Sequence, residues 1–294
     1  MNKKNLFFSI SILLIVFGCQ PFYRMINVKP STRLKNITYY ETDFNPIYQL
    51  YYPDTLNNAY LKELRQVYKL DSLTERADNE FEKIKAILDW TNKQWAHDGN
   101  NAPSKSDPLT ILKEAKKGNN FRCVEYGIVS AAALNSIGIP SRVLSIKTAD
   151  VEKVKYGAGH VVAETYSKEF KKWIFIDGQY NAIPILNNIP LNAVEFQRAI
   201  KENLVNLKII NSKGDISKAE KSRYIAWVSK YLFYYDVTFD NRYIAYKDKV
   251  KVNEKSILML VPLNADNPSV FQRKNKLDDC IYTNNINDFY QKPN

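Results

Sequence analysis

From residue 57 onward, apolar positions recur at helical spacing. Tyr60, Leu61, Leu64, Val67 and Tyr68 define one amphipathic helix. Asp71-Ser72-Leu73-Thr74 breaks the pattern. Phe81, Ile84, Ile87, Leu88 and Trp95 define a second helix, which ends before Gly99-Asn100-Asn101. A polar loop with Pro103 and Pro108 leads to a short helix over residues 109–116. A Gly118-Asn119-Asn120 turn then precedes an apolar run over residues 124–139. That run reads as a buried helix with Cys123 at its N-terminus, closed by Gly138 and Pro140. Its small residues, Gly127 and Ala131-Ala132-Ala133, let it lie close to neighbouring backbone.

After Pro140 the period switches to two. Residues 142–146, 160–166 and 173–177 read as strands, separated by a Gly157-Ala158-Gly159 turn and a polar loop over 167–172. Helices first and strands afterwards give an α+β fold, with helices packed on an antiparallel sheet. Residues 184–294 are less legible. Residues 193–204 and 218–228 look helical, 233–239 and 257–261 look like strands, and no chemical motif stands out. The expected division is a core domain over 57–215 and a C-terminal α/β extension over 216–294. Residues 19–56 are polar and Tyr-rich, with Pro21, Pro30, Pro46 and Pro53. They read as a tether and N-terminal segment, with Ile37-Thr38-Tyr39-Tyr40 as a strand.

The first 18 residues change the picture of where the protein resides. Lys3-Lys4 is a positive n-region, followed by an apolar stretch over residues 6–17 that is too short to span a bilayer as a helix. It ends in Gly18-Cys19, which resembles a bacterial lipobox with Cys19 as the lipidation site. Phe17 departs from the smaller residues usual there. An ordinary signal peptide and an uncleaved anchor are the alternatives. The expectation is a bacterial envelope protein held to the membrane through lipid on Cys19.

Lys and Arg exceed Asp and Glu by 11, but the basic residues are scattered. A solvated surface explains them; an anionic envelope surface or polymer is the alternative. No basic-aromatic stripe points to nucleic acid. Of the three cysteines, Cys123 and Cys280 remain if Cys19 is lipidated. They form either a disulfide or redox pair, or two thiols, one of which has a use. Nothing has zinc-finger spacing, so no metal is expected.

A helix N-terminus favours thiolate at Cys123. Nucleophilic chemistry then needs a base and a group to orient it. The chain has two histidines, His97 and His160. A hairpin centred on the 167–172 loop sets Asp177 opposite Val162 and His160 opposite Gln179. His160 and Asp177 then share one face as diagonal neighbours. Taken singly, Cys123 reads as an inert buried thiol, His160 as a strand-end residue and Asp177 as a turn residue. Together and in this order they compose nucleophile, base and orienter. His97, beside Asp98 and Gly99, belongs to the surface or to a substrate cleft.

Several segments resemble the transglutaminase-like superfamily, whose core is papain-like. They are Arg122-Cys123-Val124-Glu125-Tyr126-Gly127, the stretch from Leu134 to Gly138-Ile139-Pro140-Ser141-Arg142, Gly159-His160-Val161-Val162-Ala163-Glu164, and Trp173-Ile174-Phe175-Ile176-Asp177. The resemblance implies Cys123 as nucleophile, His160 as base and Asp177 as orienter, with no cofactor. It also implies an oxyanion donor upstream of the cysteine, for which Gln94 and Trp95 are the candidates. Ser141 stands where the family often has Ala. Arg122 stands where the family is commonly small or apolar; it either tunes the thiol or faces solvent. The expected function is a cysteine hydrolase or acyltransferase acting on an amide or peptide bond through a thioester, with a peptide or protein substrate. The alternative is a non-catalytic lipoprotein of the same fold serving in binding or assembly.

Overall fold

The computed structural model describes residues 37–293. The leader, Cys19 and the first part of the expected tether lie outside the described residues. The helical layer comprises α1 (Ala59–Val67), α2 (Leu70–Thr74), α3 (Glu80–Asn92), α4 (Pro108–Ala115) and α5 (Cys123–Ser136). Asp71 to Thr74, expected to break the helical pattern, instead forms most of α2. The turn falls at Lys69, whose left-handed φ of 51° lets α2 start directly after α1. Asn58, Asn79 and Asp107 cap α1, α3 and α4 by accepting backbone N–H bonds.

Beyond α5 come β1 (Ser141–Lys147), β2 (Gly159–Ser167), β3 (Lys172–Ile176), β4 (Ile183–Leu186), β5 (Ile189–Pro190) and α6 (Ala193–Glu202). They are followed by β6 (Lys208–Asn211), β7 (Gly214–Asp215), α7 (Lys218–Val228), β8 (Tyr234–Thr238) and β9 (Ile257–Leu260). The last elements are β10 (Val270–Phe271), β11 (Asn275–Lys276), β12 (Cys280–Thr283) and α8 (Ile286–Phe289). The main sheet has the order β12-β9-β8-β1-β2-β3 and is antiparallel except for the β12–β9 pair. Helices and an antiparallel-dominated sheet make the fold α+β, as the element order implied. Residues 216–294 do more than extend the domain: β8 pairs with β1, and β9 and β12 continue the same sheet.

Two apolar layers cover the sheet. One joins Ala163, Ile174 and Ile176 to the helices α1 to α5. The other joins Leu144, Ile146, Val162 and Phe175 to α6 and α7. His160, Val162 and Glu164 alternate onto this second side of β2. Arg142 and Glu164, two of the motif residues, are paired in the β1–β2 ladder and form a buried ion pair at 2.7 Å. The guanidinium also donates to the Phe289 carbonyl at 2.7 Å and lies over the rings of Trp173, Phe289 and Tyr290. The C-terminal turn is thereby fixed to the middle of the sheet.

Residues 37–56 pack along that same C-terminal segment. Asn45 N–H donates to Asp288 Oδ1 at 2.8 Å, and the buried Leu50 donates to Gln291 Oε1 at 3.0 Å. Ile37 to Tyr40 form no strand; Tyr40 makes a single bridge to Asn285.

Candidate active site

Cys123 is the first residue of α5, with Arg122 as the preceding cap residue. Glu125, fully buried, accepts from the Arg122 backbone N–H at 3.0 Å and from its guanidinium at 2.6 Å. Arg122 is therefore paired within the first turn and locks the backbone at the cysteine. One turn on, a Cβ at Gly127 would lie 2.7 Å from the Val162 carbonyl oxygen and 2.9 Å from Val161 Cγ1. Only glycine lets α5 approach β2 this closely, and β2 carries His160.

The β2–β3 ladder pairs Ala163 with Ile176, so Asp177 falls opposite Val162, the register that the hairpin loop implies. Asp177 also opens a tight turn, exchanging backbone hydrogen bonds with Ala182 at 2.9 and 3.2 Å. Asn92, at the end of α3, donates to the Gly178 and Gln179 carbonyls and holds this turn from outside. His160 Nε2 lies 2.9 Å from Asp177 Oδ2, and both side chains are buried. A carboxylate only accepts, so Nε2 carries the hydrogen and Nδ1 is left for the sulfur. Oδ1 accepts from the backbone N–H groups of Gln179 at 3.0 Å and Tyr180 at 3.2 Å.

Burial opposes a charge on His160. The Asp177 carboxylate outweighs it by charge and hydrogen bonding, and Cys123 adds a hydrogen bond and charge in the same direction. The imidazole pKa is raised to about 9. His97 bridges to Phe121, two residues before the cysteine. Desolvation and the charge of His160 hold its pKa below the ordinary value, against the pull of Asp98 and Asp177.

The two upstream candidates differ. Gln94 lies just past the end of α3 and turns its amide back onto that helix, donating to the Trp90 carbonyl at 2.8 Å. Trp95 is buried against Tyr126 and Phe121, with ring centroids 4.5 and 5.8 Å away, and its indole Nε1 has no acceptor. Cys123 and Cys280 are both free thiols, not a disulfide. Cys280 is buried, which raises its pKa to about 11. Among the described residues, no group of three or more His, Cys, Asp and Glu side chains could hold a metal ion.

Sequence reasoning missed the contribution of α7. The Tyr224 hydroxyl donates to Asp177 Oδ2 at 3.0 Å. Trp227 meets the His160 ring edge-to-face at 4.7 Å, and Tyr231 lies 5.9 Å from it. Tyr180 stands 4.5 Å from Trp227 and 6.4 Å from His160. The signal was present as an aromatic spacing of three and four residues: Tyr224, Trp227, Tyr231.

The model of the transglutaminase-like superfamily matches residues 69–178. The stretch from α2 to the turn after β3 is thus similar to the core of that superfamily, and it contains Cys123, His160 and Asp177. No curated protein matches the chain. Among solved structures, a candidate cysteine protease from Cytophaga hutchinsonii shares 15% identity over 58% of this chain and 55% of its own, with a TM-score of 0.35. The periplasmic domain of TgpA from Pseudomonas aeruginosa shares 18% identity over 46% of this chain and 47% of its own, with a TM-score of 0.31. Red sea bream transglutaminase shares 13% identity over 58% of this chain and 33% of its own, with a TM-score of 0.32. This chain covers less than two thirds of the length of each.

Proposed function

We propose that the protein is a cysteine hydrolase or acyltransferase that acts on an amide or peptide bond through Cys123, His160 and Asp177. The observation that carries this reading is the buried 2.9 Å contact of His160 Nε2 with Asp177 Oδ2, with Cys123 interacting with the same ring. The Cys123 sulfur attacks the substrate carbonyl, its proton having passed to His160. The C–N bond breaks, and the His160 imidazolium gives its proton to the departing amine. A thioester on Cys123 results. Water then attacks it, His160 takes the proton of the water, and the acid product leaves as the thiol is restored. An amine in place of water completes an acyl transfer by the same steps; hydrolysis is the favoured outcome.

The developing oxyanion needs donors. Cys123 opens α5, so its backbone N–H is among the first N–H groups of the helix, which have no intrahelical acceptor. The indole of Trp95, which has no acceptor, is the better side-chain candidate than Gln94. Such a donor is worth about 3–4 kcal/mol of barrier. The substrate class is a peptide or protein amide. The leader and Gly18-Cys19 support lipid anchoring at Cys19 in a bacterial envelope. Among the described residues, no helix is long and apolar enough to cross a membrane.

The test combines iodoacetamide labelling with screening of peptide amides and of fluorescent amine incorporation into proteins. Cys123→Ala abolishes labelling at that site and all turnover. Undiminished turnover by this variant overturns the mechanism.

A further inference from the structure

The Asp177 carboxylate is held by more than the hairpin that bears it. Oδ1 takes two backbone N–H groups from its own turn. Oδ2 is shared by two side chains, His160 Nε2 at 2.9 Å and the Tyr224 hydroxyl at 3.0 Å. Tyr224 is buried and packed between Tyr180, 5.2 Å away, and Phe196, 6.4 Å away and nearly parallel. Three residues further along the same helix, Trp227 covers the His160 ring. Helix α7 therefore touches both members of the His160–Asp177 pair. It lies wholly outside the segment that matches the superfamily.

We propose that Tyr224 is a positioning residue of this site, its hydroxyl setting how much of the Asp177 carboxylate is available to the His160 ring. The proposal rests on the reading of Cys123, His160 and Asp177 as a reactive site. A donor to a carboxylate stabilises its charge and weakens its hold on a proton shared with a neighbour. Tyr224 thus competes with His160 at Oδ2. Burial and the Asp177 charge keep the phenol protonated, so it remains a donor. The other titratable groups facing His160 are Cys123 from α5, His97 from the loop before it, Tyr180 from the Asp177 turn and Tyr231 after α7.

The chain has two histidines, so the rings can be followed individually by NMR in the full chain, without substrate. Tyr224→Phe removes one oxygen and keeps the packing. It raises the His160 titration midpoint by about 0.5–1 unit, while His97 moves far less. Site-specific 3-fluorotyrosine at position 224 makes the hydroxyl a stronger donor and shifts His160 the opposite way; this second variant serves if Tyr224→Phe fails to fold. A folded Tyr224→Phe protein, or a folded fluorotyrosine protein, whose His160 titrates as in the wild type overturns the proposal. These measurements do not depend on turnover. An unreactive Cys123 sinks the proposed function, whereas an unshifted His160 beside a reactive Cys123 sinks only the role of Tyr224.

Discussion

Arg142 and Glu164 stand directly opposite each other on β1 and β2 and form an ion pair at 2.7 Å with neither side chain exposed. Glu164 Oε1 also accepts from the Ala193 backbone at 3.0 Å and from the Tyr290 hydroxyl at 3.0 Å. Three parts of the chain far apart in sequence meet there: the β1–β2 hairpin, the start of α6 and the C-terminal turn. A buried pair of this kind is weak evidence of net stabilisation, but breaking one partner leaves an uncompensated charge.

Glu164→Ala is therefore expected to destabilise by about 3–5 kcal/mol, a fall in Tm of roughly 6–15 °C. Arg142→Lys is expected to be damaging as well, because an ammonium cannot serve Glu164 and the Phe289 carbonyl in the same fork or stack on Trp173. Thermal denaturation of both variants checks this. A Tm within a degree or two of the wild type for Glu164→Ala contradicts the assignment.

The same ladder explains how much could be read in advance. The polar stretch over residues 167–172 has apolar, strand-forming segments on both sides, so its midpoint fixed which residues face each other, and Asp177 falls opposite Val162. The cysteine helix was legible from its apolar run and its stop signals. Tyr224 was not, because its role depends on tertiary packing: it lies 47 residues beyond Asp177, on a helix whose start and caps look ordinary. β12 escaped notice because Cys280–Thr283 is only four residues long, and parallel pairing with β9 has no local turn to announce it. Arg122 could not be placed from sequence alone, since its partner Glu125 reads equally as a dipole residue of the helix start.

Asp177→Asn tests the orienting role proposed for the Asp177 carboxylate without emptying its place. The amide can still accept from Gln179 and Tyr180, so the turn survives. It can also offer its NH2 to Nε2, which favours the wrong tautomer and leaves Nδ1 protonated when the ring is neutral. Turnover is expected to fall about 10²–10⁴-fold, with the Tm changed much less than by Glu164→Ala. A variant that keeps wild-type turnover shows that Asp177 does not orient the base.

The raised pKa of His160 gives stability a pH dependence with a definite sign. Burial opposes the charge, but Asp177 and Cys123 carry the pKa from 6.5 up to about 9. The folded state therefore holds a proton that the unfolded state releases between these values. The stabilisation is complete below about pH 6.5 and is lost as pH rises through about 9. Its size is on the order of 3 kcal/mol. Comparing denaturant unfolding of the wild type and His160→Gln at each pH cancels the other titrating groups. The stability gap between them is expected to shrink steadily across that window. A gap that stays constant from mildly acidic to alkaline pH rules the raised pKa out.

Gly178 tests how tightly α5 and the Asp177 turn are joined. A Cβ there would lie 2.7 Å from Ser130 Oγ and 3.3 Å from Tyr126 Cβ and its carbonyl oxygen. Gly178→Ala is thus expected to push the turn away from α5, at a cost of about 1–3 kcal/mol. The carboxylate moves with the turn, so alkylation of Cys123 is expected to slow. Ser130 is buried and its hydroxyl has no partner, so Ser130→Ala removes the nearest obstacle without breaking a hydrogen bond. The double variant Gly178→Ala/Ser130→Ala is therefore expected to recover part of both stability and alkylation rate, with a coupling of about 0.5–3 kcal/mol. The contacts to Tyr126 remain and account for the part not recovered. Strictly additive effects of the two substitutions show that the close approach of Gly178 to Ser130 does not position the carboxylate.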